Sequence, residues 1–73
     1  MANNNLKRVL DNEGITQVEL SRASGVSTGT INKVYNQRRI PALKTMNKLI
    51  RGLNELARNR YTLQDIFPGA GSG

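Results

Sequence analysis

Thr28, Gly29, Asn32 and Lys33, followed by Asn36, Gln37, Arg38 and Arg39, bring short hydroxyl, amide and cationic side chains together over one stretch of the chain. An amide offers a donor and an acceptor side by side, a lysine or arginine donates only, and a threonine adds a methyl group. Such a set can hydrogen-bond flat polar edges and neutralise anionic oxygens. It supplies no group that exchanges protons near neutral pH. The 73 residues include no histidine and no cysteine, which removes a histidine general base, a cysteine nucleophile, a disulfide framework and a Cys/His metal site. The five carboxylates are scattered without an evident pair, the hydroxyls lack a base, and no glycine-rich phosphate loop occurs. The expectation is a protein that is not an enzyme, with no cofactor and no metal.

The formal charge is +6, and the excess is uneven. Residues 1–32 balance Lys7, Arg8 and Arg22 against Asp11, Glu13 and Glu19, whereas residues 33–60 set eight cations against Glu55 alone, a net of +7 from 8 minus 1. A polyanionic partner and plain solvation of helix faces both account for this stretch. No apolar run is long enough for a membrane span, and "MANNN" lacks the apolar centre of a signal peptide, so a soluble, cytoplasmic protein with no membrane partner is expected. The length suits one small domain.

Helical spacing is the only strong periodicity. Leu6, Val9 and Leu10 predict a helix over about 4–12, ended near Gly14. "TQVE" from Thr16 is a capping box, opening a helix over 16–24 with Leu20 and Ala23 inward, Val18 less clearly so, and Gly25 as its stop. Ser27 is a suitable cap for a helix over 27–36 with Ile31, Val34 and Tyr35 inward. After Pro41, the stripe Leu43, Met46, Ile50, Leu53 and Ala57, widened by Leu49 and Leu56, predicts a helix over 42–59 that carries Gly52 in its interior. Thr62 caps a last helix over 62–67, stopped by Pro68. The class is all-α, with a domain over 1–68 and a disordered tail over 69–73.

Two helices of about eight residues joined by "GVS" must cross steeply, as in a helix-turn-helix. Counting from Gln17, Leu20 and Val26 are apolar at the fourth and tenth positions, and Ser21 is small at the fifth. Gly25 at the ninth suits a left-handed turn, and Ile31 and Val34 at the fifteenth and eighteenth anchor the second helix. Ser24, at the eighth, is polar where an apolar residue is common.

With "GITQVELSRASGVSTGTINKVYNQRRIP" and "LKTMNKLI", the chain resembles the Cro/CI (Xre-type) family of helix-turn-helix regulators over roughly residues 5–67. The resemblance implies a compact five-helix DNA-binding domain whose third helix enters the major groove of double-stranded DNA. Thr28, Gly29, Asn32 and Lys33 are then the base-reading residues: asparagine pairs with adenine, lysine donates to guanine, a threonine methyl meets thymine, and Gly29 lets the backbone approach closely. The resemblance gives Gln17 a contact to the DNA backbone and lays the connection after the third helix along it. Ser27, Thr30, Asn36, Gln37, Arg38 and Arg39 join that set. Lys44 and Lys48 are weaker candidates, and Arg51, Arg58 and Arg60 read as surface charges.

Relatives often pair an Arg of the first helix with a Glu after the third; here Leu10 and Tyr35 occupy the corresponding positions, so an apolar contact is expected instead. Function follows as a sequence-specific transcriptional regulator, a repressor occupying a pseudo-palindromic operator as a homodimer. Ile66, Phe67 and the outer side of the fourth helix are the candidate dimer surface. An antitoxin-like or other protein-interaction module on the same fold is the alternative. RNA binding is disfavoured because only three aromatic residues are present for base stacking.

Overall fold

Side chains at the helix ends, more than the length of each apolar stripe, set where the helices begin and stop. The structure, a computed structural model, describes residues 4–70 and runs α1 (Leu6–Glu13), α2 (Gln17–Ser24), α3 (Thr28–Tyr35), α4 (Leu43–Leu56) and α5 (Leu63–Ile66), with no strand among the described residues. The fold is the expected all-α, five-helix arrangement. The expected domain start over 1–3 and tail over 71–73 lie outside the described residues.

The Thr16 box forms: the Glu19 amide donates to Thr16 Oγ1 (3.1 Å), and the Thr16 amide donates to Glu19 Oε1 (2.9 Å). Gly25 then takes φ 76°, a left-handed turn that a Cβ would disfavour, and the chain reverses into α3 within three residues. Ser27 Oγ accepts from the Thr30 amide (3.2 Å), so α3 starts one residue after its cap. Thr62 and Asp65 make a second capping box at α5. At the other end of the chain, Asn4 is almost fully buried and does four jobs. Its Oδ1 accepts from the Leu6 amide at the start of α1, its Nδ2 donates to the Val34 carbonyl of α3, and its backbone N–H and C=O both pair with the side-chain amide of Gln37. Asn5 fixes the same segment to α5 through the carbonyls of Asp65 and Ile66.

Leu6, Leu10, Leu20, Ile31, Val34, Leu49, Leu53 and Ile66 form the centre of the core, all essentially inaccessible. Val18 is half exposed and lies outside it. In α4 the inward face is Met46, Leu49, Gly52 and Leu53; Leu43 and Leu56, expected inside, remain 47% and 39% exposed. α4 runs unbroken through Gly52, which is buried against α2: a Cβ there would stand 2.7 Å from both Cβ and N of Ser24. Ser24, the polar eighth position of the motif, is thus the residue that Gly52 packs against. The Ser24 hydroxyl is satisfied by the Val26 amide (3.2 Å).

α4 ends at Leu56, not at 59, and Ala57 is extended. The Arg58 amide, which the next turn of the helix would use, is taken elsewhere. Glu13, at the end of α1, accepts from the Arg58 amide (2.9 Å), from Asn59 Nδ2 (2.8 Å) and from the Tyr61 hydroxyl, while Asn54 exchanges two hydrogen bonds of 2.8 Å with the backbone of Tyr61. The tail also departs from expectation at its start. Gly69 donates to Gln64 Oε1 and the Ala70 carbonyl accepts from Gln64 Nε2, so both residues belong to an ordered turn under α5. Ile66 and Phe67 are 0% and 2% exposed, packed inside the molecule and removed from any candidate dimer surface.

The Tyr61 hydroxyl, then the Arg58 amide and Asn59, hold the Glu13 carboxyl down at about 2 from an ordinary value of 4.5. A carboxylate depressed by folding contributes stability that is complete above its unfolded pKa and is lost as pH falls through the folded one. Stability should therefore rise with pH between about 2 and 4.5, with Glu19, lowered by its bonds to Thr16, contributing to the same slope. Glu13→Gln should flatten this acid slope in denaturant titrations taken at successive pH values and lower stability at neutral pH. An unchanged slope would show that the Glu13 bonds do not persist in solution.

Candidate nucleic-acid interface

Burying Ile31 and Val34 turns the opposite side of α3 to solvent. At about 100° per residue, positions 28, 29, 32, 33 and 36 fall within one arc of roughly 140° on that side. Thr28, Gly29, Asn32, Lys33 and Asn36 are all exposed, as are Ser27, Arg38 and Arg39; Gln17, Thr30 and Gln37 are half-buried. Between Leu20 and Asn54 the sequence has no carboxylate, so the cations of this region act on a surface without internal neutralisation from that stretch. Gly29 has no heavy atom of the protein within 4 Å of where a Cβ would stand. The fold itself gives no reason for a glycine at this position.

The polar side chains differ in how far they are committed. Asn32 Nδ2 donates to Gln17 Oε1 (3.3 Å), linking the middle of α3 to the first residue of α2. Ser27 and Thr30 hydroxyls are bonded to each other at 3.0 Å, in addition to the cap. Asn36 Nδ2 turns back to the Asn32 carbonyl (3.0 Å) and closes the end of α3. The family resemblance implies a DNA-backbone contact for Gln37; in the free protein its amide is engaged with Asn4: Oε1 accepts from the Asn4 amide (3.2 Å) and Nε2 donates to the Asn4 carbonyl (3.1 Å). Its backbone has φ 62°, the left-handed position usually filled by glycine after a helix. The Gln37 amide donates to the Val34 carbonyl and the Arg38 amide to the Lys33 carbonyl, closing α3 as a Schellman turn.

Behind the exposed face, α3 is joined to α1 by Tyr35. An apolar contact is expected there, and Tyr35 packs against the core that contains Leu10; in addition its hydroxyl donates to Asp11 Oδ1 (2.8 Å), and the Lys7 ammonium lies 5.8 Å from the ring centroid. The hydrogen bond to Asp11 pushes the phenol pKa up. Ser21 Oγ donates to the Val26 carbonyl (2.6 Å), tying α2 to the turn that precedes α3. Lys44, Lys48 and Arg51 recur along one exposed stripe of α4. Among the described residues no group of three or more His, Cys, Asp or Glu gathers, and no helix is long and apolar enough to cross a membrane.

What the arrangement offers is a short, rigidly seated helix with an outer face of small, amide and cationic side chains, flanked by exposed arginines. A family model described as helix-turn-helix matches residues 6–57 of the 73. No curated protein and no solved structure matches the chain. The match covers α1 through α4 and includes the capped pair α2 and α3 with its glycine turn, and on that ground the chain belongs to the Cro/CI (Xre-type) helix-turn-helix family of DNA-binding regulators.

Proposed function

We propose that the protein binds double-stranded DNA sequence-specifically with α3 in the major groove, and represses transcription by occupying a pseudo-palindromic operator as a homodimer. The observation that carries this reading is Gly29. An exposed glycine in the first turn of a helix costs stability and nothing in the fold requires it, so its use lies with what approaches from outside. Thr28 and Lys33 flank it on the same face and present groups suited to base edges. Ser27, Thr30, Arg38 and Arg39 border that face and Asn36 lies at its C-terminal end; in this reading they meet phosphates and sugars, which position a protein without reading sequence. One α3 of eight residues spans about 12 Å and reaches few base pairs, which favours two copies on two half-sites. The protein acts in the cytoplasm, on the DNA found there.

Selection of genomic fragments by the purified protein at near-physiological salt tests the proposal. A short, enriched, pseudo-palindromic sequence is expected. Binding without any enriched sequence would overturn it.

Gly29→Ala gives a sharper check. Alanine should raise stability by about 0.5–1 kcal/mol in chemical denaturation, since it relieves the glycine entropy cost and meets no neighbour. The same methyl group should weaken binding to the selected site by roughly tenfold, the scale of one poorly fitted base edge. A variant that is both more stable and equally tight would remove Gly29 from the interface.

A further inference from the structure

We infer that Gln37 serves DNA binding as a positioning residue: its side-chain amide, clasped on the backbone of Asn4, holds the left-handed turn from which Arg38 and Arg39 reach the DNA backbone. The inference rests on the proposed reading of α3 as the groove helix. Gln37 stands at φ 62°, the one residue other than glycine with positive φ among the described residues. A Cβ in that conformation crowds the following carbonyl, so the turn relaxes unless something outside it holds it. Both ends of the amide supply that hold. Oε1 accepts from the Asn4 amide (3.2 Å), and Nε2 donates to the Asn4 carbonyl (3.1 Å).

The backbone so clasped is itself fixed. Asn4 is 4% exposed; its side chain donates to the Val34 carbonyl (3.2 Å) and accepts from the Leu6 amide (2.9 Å). The next residue, Asn5, is bonded to the carbonyls of Asp65 and Ile66, both at 2.8 Å. The turn after α3 is thereby tied to α1 and α5 as well as to α3. The Val34 carbonyl also accepts from the Gln37 amide (3.1 Å), so Asn4 and the turn meet on one atom.

A direct phosphate contact by the Gln37 side chain would have to undo this clasp. The N–H and the C=O of a buried residue would then lose these partners, in exchange for one bond to a phosphate oxygen at the surface. Two buried backbone groups outweigh that bond. What Gln37 contributes is direction. The Arg38 amide donates to the Lys33 carbonyl (2.8 Å) while residue 37 is left-handed, and arginines held in advance lose less freedom when they meet the DNA.

Glycine and alanine at position 37 separate the two roles. Both remove the amide; glycine takes the left-handed turn freely, and alanine does not. Wild type, Gln37→Gly and Gln37→Ala are titrated against the selected duplex and a scrambled one by fluorescence anisotropy. In the free proteins, solvent exchange of the Arg38 backbone amide is followed by NMR. Gln37→Ala should weaken both duplexes by about three- to tenfold, because the turn that binds becomes a minor part of the free population. It should leave the preferred sequence unchanged and speed Arg38 exchange. Gln37→Gly should bind within about twofold of wild type. With Arg38 and Arg39 both alanine, Gln37→Ala should no longer affect binding, which ties the loss to those two side chains. Equal losses from glycine and alanine would overturn the inference and make the Gln37 amide a phosphate ligand. Alanine binding as tightly as wild type would overturn it too, since the turn then needs no clasp. If wild type binds neither duplex, the DNA reading and this role fall together, while Arg38 exchange still reports whether the clasp holds the turn in the free protein.

Discussion

Replacing Gly52 with alanine should cost the protein about 2 kcal/mol, although alanine is the better helix former by about 1 kcal/mol. The added methyl group would stand 2.7 Å from Cβ and N of Ser24 and 2.8 Å from its Cα. None of these atoms can move by a change of rotamer. Relief requires α2 and α4 to separate, and the side chains beneath that contact, Leu20, Leu49 and Leu53, are fully buried and lose packing as they do. Overpacking of this kind costs about 1–3 kcal/mol, and contact with main-chain atoms puts it at the upper end before the gain in helix propensity is subtracted. For a domain of this size that loss lowers the melting midpoint by about 8–16 °C, readable by circular dichroism. Ser24→Ala should not rescue it, because the atoms in conflict all remain. A Gly52→Ala midpoint at or above that of the wild type would mean that the two helices are not held this close. Opposite responses to one chemical change at Gly29 and Gly52 would separate a glycine used at the surface from one used in packing.

The sequence was legible wherever a feature is decided by neighbours in the chain. Thr16, Ser27 and Thr62 start their helices as expected because a capping box or cap is settled within four residues. The inward turn of Ile31 and Val34, and with it the outer face of α3, follows from helical period alone. What escaped was decided at a distance. Gly52 reads locally as a weak point in α4, since its partner Ser24 belongs to another helix. The end of α4 meets Glu13, 45 residues before Arg58, which takes the Arg58 amide that a longer helix would have used. Gln37 has the right chemistry for a phosphate contact, yet Asn4, 33 residues earlier, claims its amide. Leu43 and Leu56 show a further limit: period tells which side a residue faces, and does not tell whether anything lies there to cover it. The family match supports the DNA-binding class, while the hydrogen bonds of Gln17 with Asn32 and of Gln37 with Asn4 could not be read from spacing.

Arg38→Ala combined with Arg39→Ala should weaken binding to every duplex by about 10- to 100-fold near physiological salt and reduce the slope of log K against log salt by about 1.8, the loss of two neutralised phosphates. Both side chains are exposed, and no carboxylate occurs in the sequence from Leu20 to Asn54 to compete for them. The turn that presents them is fixed. Gln37 is held at φ 62°, a conformation that costs a residue with a Cβ about 1 kcal/mol, and the two-way clasp of its amide on Asn4 offsets that strain. The Arg38 amide is bonded to the Lys33 carbonyl at 2.8 Å, so the arginines leave the end of α3 in a set direction. Cations delivered this way meet a backbone that is alike in all sequences; the double variant should therefore keep the wild-type preference while losing affinity. Lys33→Ala should do the reverse, changing which sequence is preferred, because Lys33 lies on the outer face of the helix itself. The measurement is anisotropy titration of the selected and scrambled duplexes over a salt series. An unchanged salt slope in the double variant would leave both arginines solvated in the complex, and a changed preference would move them from the DNA backbone to the base edges.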